Sequence, residues 1–159
     1  MESGRKVILV ASGSSPDRAI ALERLLSAAA SRSGWSGRLD IRLGGIEGGA
    51  GRLSDAGSAA LHAIGIDADG AVCPDLDRRP ALLEGASFVV CDRGDVADVL
   101  IDWDEAGEAE FVCVDEVGGA SAADGVDDSE DPPISEEVRD YEQRIDEVLR
   151  RVVADRHAE

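Results

Sequence analysis

The chain has 159 residues and a formal net charge of −18, from 34 Asp and Glu against 16 Lys and Arg. That length fits a single domain, residues 1–159, able to bury about 70% of its unfolded surface in one core. The charge excludes sequence-independent binding to nucleic acid or to an anionic membrane, which both need clustered cations.

Taken in order, Val7-Ile-Leu-Val10 is a short apolar run rich in branched residues, the pattern of a central strand covered on both faces. Ser15 is a good N-cap, Pro16 fits the first helical position and Asp17 puts a negative charge in the first turn, so a helix starts close to Ser15. Ile20, Leu22, Leu25, Leu26 and Ala29 continue it at helical spacing. The turn from Ala11 to Ser14 then lies between the carboxyl end of a strand and the amino end of a helix, where open α/β sheets bind anions. Gly13, Ser14 and Ser15 are the candidate anion-binding residues, through backbone amides facing outward, and Arg18 leans back toward the same turn.

Arg38 to Leu43 alternates polar with apolar and predicts a second strand. Residues 44–51 hold five glycines in eight, read as a mobile loop because of the backbone entropy that glycine loses on packing. A phosphate cradle there lacks the Gly-Lys-Ser/Thr ending of a nucleotide loop. Ser54 caps a helix running to about Ile64, and residues 67–80 form an irregular connection. A short helical turn at 81–84, a buried strand at 87–92, a short helix from Val96 to Ile101 and a buried strand at 111–114 follow. Residues 115–131 are acidic, rich in Gly and Ala and without periodicity, which predicts a flexible surface loop. Ser135 caps a last helix with Val138, Tyr141, Ile145, Val148, Leu149 and Val152 on one stripe. The alternation of strands and helices predicts a three-layer α/β/α domain with a four-stranded parallel sheet and β1 at its centre.

Three widely spaced cysteines, Cys73, Cys91 and Cys113, read as reduced thiols rather than a disulfide framework. With His62 and His157 the only histidines and no pair at ligand spacing, no metal is expected. No cofactor is expected either: Trp35 and Trp103 are the only tryptophans, too little stacking surface for a flavin or nucleotide. No stretch reaches the length of a membrane span and the first residues lack a signal-peptide core, so the expected location is cytoplasmic. A single lysine among the basic residues, with abundant Asp, fits a salt-rich cytoplasm or a GC-rich genome.

The opening Val7-Ile-Leu-Val-Ala-Ser-Gly, Ser15-Pro16 at a helix start, Ser54-Asp-Ala-Gly, Gly65-Ile66-Asp67, the run Leu82-Leu-Glu-Gly-Ala-Ser-Phe-Val-Val90 and Asp131-Pro132 before a terminal helix occur together in an order and spacing that resembles the low-molecular-weight protein tyrosine phosphatases, which include arsenate reductases. The resemblance implies phosphate-monoester chemistry: a Cys-x5-Arg loop whose thiolate attacks phosphorus while its amides and arginine hold the oxygens, and an aspartate that protonates the leaving group. Here the cysteine position aligns with Ala11 and the arginine position with Asp17, or with Ser14 when Ser15-Pro16 sets the register. Asp131 matches the general acid, while Pro133 and Ile134 stand where the family carries aromatic cleft walls. Ser12 and Arg18 keep an x5 relation, which makes Ser12 a candidate nucleophile with only Asp17 nearby in sequence as its base. Cys91 lies where the reductases keep a second redox cysteine, without a first one to pair with. The expectation is a catalytically inactive phosphatase-like binding or regulatory module for a phosphate-like anion or phosphorylated partner; the alternative is a phosphatase with a rearranged site.

Overall fold

The apolar alternation of the first strand decides the layering. In the computed structural model, which describes residues 6–13, 15–35, 37–46, 49–114 and 134–154, β1 is Lys6–Ser12 and α1 is Pro16–Arg32. They are followed by β2 (Leu39–Gly45), β3 (Gly51–Arg52), α2 (Asp55–His62), β4 (Val72–Cys73) and β5 (Phe88–Cys91). The chain continues with α3 (Gly94–Leu100), β6 (Glu110–Cys113) and α4 (Ile134–Ala154). The main sheet has the order β2-β1-β5-β6 with every pair parallel, so β1 is internal, as its composition requires.

Successive strand residues point to opposite faces. Ile8 and Val10 of β1, with Phe88 and Val90 of β5, pack into the larger core with α1, α2 and α4. Leu9 and Ala11, with Val89 and Cys91, pack into a smaller core with Val96 and Leu100 of α3 and with Leu76 and Leu83 from irregular segments. The apolar stripe of α4 is the floor of the larger core: Val138, Tyr141, Ile145, Val148, Leu149 and Val152 are all buried there. Cys73 and Cys91 are buried and Cys113 half-buried, all as free thiols. Among the described residues no helix is long and apolar enough to cross a membrane.

Three local expectations are corrected. The glycine-rich stretch is packed where it is described: Gly44 and Gly45 belong to β2, and a Cβ on Gly49 would stand 2.0 Å from the Ser12 carbonyl oxygen. These glycines allow close backbone approach rather than motion, and the amide of Ile46 donates to the Ser12 carbonyl at 3.0 Å. The connection at 67–80 contains β4, which pairs antiparallel with β3 as a separate two-stranded ribbon. Ser135 lies inside the first turn of α4, which begins one residue earlier at Ile134.

Candidate functional site

Ser15 ends β1's turn and starts α1: in extended conformation, its side-chain oxygen accepts the Asp17 amide at 3.1 Å. The helix therefore begins where the sequence places it, and Ser12 and Gly13 stand at the carboxyl end of β1, short of that cap. Asp17 does not face that end as a free charge. Its Oδ1 accepts the Ser54 amide at 2.8 Å and its Oδ2 the Ser54 hydroxyl at 2.5 Å, while Ser54 Oγ accepts the Gly57 amide at 3.0 Å. Asp17 thus ties the start of α1 to the cap of α2, and is committed to that task rather than to serving Ser12.

The partner of Ser12 comes from another strand. Ser12 is fully buried and its hydroxyl donates to Asp92 Oδ2 at 3.1 Å. Because Ala11 is paired with Cys91 in the β1–β5 register, the next residue of each strand stands beside the other. Asp92 is itself buried, and burial pushes its carboxyl up to about 6; the Ser12 hydroxyl, Arg18 and Arg93 pull in the opposite direction without offsetting it. Among the described residues its Oδ1 has no hydrogen-bond partner.

Arg18 turns toward the last helix. Its guanidinium is buried and makes an ion pair with Glu137 at 3.3 Å. Tyr141, one turn further along α4, is buried next to the same pair, and burial followed by the Glu137 charge holds its phenol protonated well above the usual range. Ser12 and Asp92 on the sheet edge, and Arg18, Glu137 and Tyr141 between α1 and α4, thus form two adjoining buried polar groups, linked by the attraction between Arg18 and Asp92.

Gly13 faces a cleft of about 270 Å³ together with Ile46, Asp92, Arg93, Asp95, Val96 and Val99. Ser14 and the candidate acid Asp131 lie outside the described residues, as does the acidic stretch 115–131. Cys91 is fully buried at the end of β5, level with Ala11 on one side and Cys113 on the other. The residue at this edge that sequence reading missed is Asp92, the partner of Ser12. Its signal was available in the order of strands: neighbouring parallel strands bring the residues after their last apolar positions together.

No family model matches the sequence, and no curated protein matches it. Solved structures do match over nearly the whole chain. A cysteine-to-serine mutant of the arginine phosphatase YwlE, with a phosphorylated active-site serine, superposes with a TM-score of 0.70 at 21% identity, covering 96% of this chain and 99% of its own. The low-molecular-weight protein tyrosine phosphatase from T. tengcongensis gives 0.69 at 17% identity over 92% and 99%. An arsenate reductase in a phosphate-binding state gives 0.63 at 14% over 92% and 98%. The chain has the fold of the low-molecular-weight phosphatases and arsenate reductases.

Proposed function

We propose that this chain is a catalytically inactive phosphatase-fold protein that acts as a cytoplasmic binding or regulatory module. The observation that carries the reading is the content of the turn after β1. Where this fold's enzymes are expected to present a thiolate, the chain has Ala11, followed by a Ser12 that has no exposed surface and is engaged with Asp92. Arg18, the cation nearest in sequence to an anion at the turn, is paired with Glu137. A turn without an arginine fork loses the bidentate grip that overcomes repulsion from a protein of charge −18. What supports binding is the start of α1, where the helix dipole and the amides of Gly13 and Ser15 suit a phosphate-like group on a partner, with Ser14 a candidate from the sequence alone. An affinity in the millimolar range, about 4 kcal/mol, matches that set of contacts.

One observation favours a second reading, an active phosphatase with a rearranged site. The Ser12 hydroxyl donates to a carboxyl whose pKa is about 6, in the range of a general base, and the matching YwlE structure carries its phosphate on a serine. In that mechanism Ser12 Oγ attacks phosphorus and passes its proton to Asp92, Asp131 protonates the leaving oxygen, and water then hydrolyses the phosphoserine. The complete burial of Ser12 weighs against it.

Steady-state assays of the purified protein against an aryl phosphate and a phosphoarginine peptide separate the two. The wild type, Ala11→Cys and Asp131→Ala are all expected to be inactive. Wild-type turnover that disappears in Asp131→Ala would overturn the proposal in favour of the second reading.

A further inference from the structure

The β3–β4 ribbon and the turn that follows it carry more cation than acid, against the balance of the protein as a whole. Arg52, Arg78 and Arg79 are all exposed there, in a chain of 34 acids and 16 bases. Arg78 and Arg79 line a groove of about 520 Å³ with Val72, Pro74 and Asp75, a volume in the range of ligand pockets. Val72 is 54% exposed while its neighbour Cys73 is buried, so Val72 faces outward, and Arg52, its cross-strand partner, shares that face. Asp75 stands 3.9 Å from Arg78, and Asp77 is the other acid of the turn; Arg52 and Arg79 make no ion pair among the described residues. The backbone that presents the two neighbouring arginines is fixed. Gly45 donates to the Pro74 carbonyl and accepts from the Leu76 amide, both at 2.8 Å, and Leu76 is fully buried. The amides of Arg78 and Arg79 each donate to the Asp75 carbonyl at 3.0 Å, and Pro80 follows. Folding has already ordered this turn, which lowers the cost of binding to it.

We propose, resting on the binding-module reading above, that this groove docks an extended acidic segment of a partner protein. Carboxylates of the segment accept from the guanidinium forks of Arg52, Arg78 and Arg79, and an apolar side chain between them packs on Val72 and Pro74. Cations carried on two elements, β3 and the turn after β4, suit a chain with several carboxylates better than a single small anion. The groove begins at Ala50 and Gly51, and a Cβ on Gly51 would stand 3.7 Å from Pro16 Cγ at the start of α1. A segment lying in it therefore runs toward the turn after β1, and the two surfaces join. The charge of −18 does not defeat the contact at physiological ionic strength, where the Debye length is about 8 Å: distant acids are screened, and direct pairs much less.

Titration of the ¹⁵N-labelled protein at about 0.15 M salt with the capped peptides Glu-Glu-Leu-Glu-Glu and Gln-Gln-Leu-Gln-Gln and with glutarate, read at the amides of Gly51, Val72 and Cys73, tests the assignment. The acidic peptide is expected to give saturable shifts with Kd in the millimolar range or below, and the other two to bind about tenfold more weakly or not at all. The double variant Arg78→Gln, Arg79→Gln, at two exposed positions, is expected to weaken the acidic peptide about tenfold or more. Arg150→Gln with Arg151→Gln removes the same charge from an exposed stretch of α4 and is expected to leave the affinity unchanged. Equal binding of the glutamine peptide or of glutarate, an affinity unchanged in the Arg78 and Arg79 variant, or equal weakening in the α4 variant overturns the proposal. A hexathymidylate that binds tighter than the acidic peptide also overturns it, in favour of nucleic acid. Aryl phosphate turnover measured on the same sample reports separately on the binding-module reading. Turnover alongside peptide docking removes that reading and leaves the groove standing; an inactive protein that docks no peptide removes the groove and leaves the reading.

Discussion

The two faces of the sheet are built differently. On one, α1 of 17 residues and α4 of 21 residues pack over the strands, with Ile20, Leu22, Leu26, Ile145, Val148 and Val152 in a continuous apolar layer. On the other, the cover among the described residues is a seven-residue helix and short turns, and Val99 and Ile101 are exposed. Long amphipathic helices bury enough surface to dominate stability. The thin face has room instead for a cleft against Ile46, Val96 and Val99. The larger apolar core lies on one side of the sheet and the cleft on the other, and both meet at β1, whose residues alternate between them.

The largest effect expected to sharpen this contrast is Leu26→Ala, which opens a cavity between α1 and the sheet and should cost about 4 kcal/mol by denaturant unfolding. Leu100→Ala on the thin face, where short elements can collapse around the gap, should cost about 2.5 kcal/mol. Equal losses would remove the distinction. Next, Glu137→Ala removes the carboxylate of the Arg18 ion pair and should destabilise by about 3 kcal/mol, at the low end for a broken buried pair because Asp92 also attracts Arg18.

Asp92→Asn should act in the opposite direction. The carboxyl is raised from 3.8 to about 6 in the folded protein, so folding favours the neutral form. Below pH 4 both states hold the proton and the wild type bears no penalty; the penalty grows between pH 4 and 6 and is complete above 6. The variant should therefore gain about 2 to 3 kcal/mol over wild type at pH 7.5 and nothing at pH 3.5, measured by urea unfolding at both pH values. A gain independent of pH would show that the ionised carboxyl is not the source of the penalty.

The thick face was legible in the sequence and the thin face much less so. Ser15, Pro16 and the spacing from Ile20 to Ala29 specify α1 through local rules, and the stripe from Val138 to Val152 does the same for α4. Each signal lies within a few residues of what it predicts. The partnership of Ser12 with Asp92 spans 80 positions and depends on strand order. Gly44 and Gly49 escape local reading for a related reason: glycine's entropy cost is visible locally, whereas Leu76 and the Ser12 carbonyl, which leave no space for a Cβ, are distant in the chain. Asp17 is the first-turn charge that the sequence predicts, but its bonds to Ser54, which occupy both its oxygens, join elements 37 positions apart.

The most direct test of the central claim, that the turn after β1 binds without catalysing, is to incubate the protein with an aryl phosphate at pH 6 and pH 7.5 and weigh it by mass spectrometry while following phenol release. The expected result is an unmodified chain and release no faster than in buffer at either pH. Phosphate found on Ser12, with phenol release that vanishes in Asp92→Asn, would contradict it.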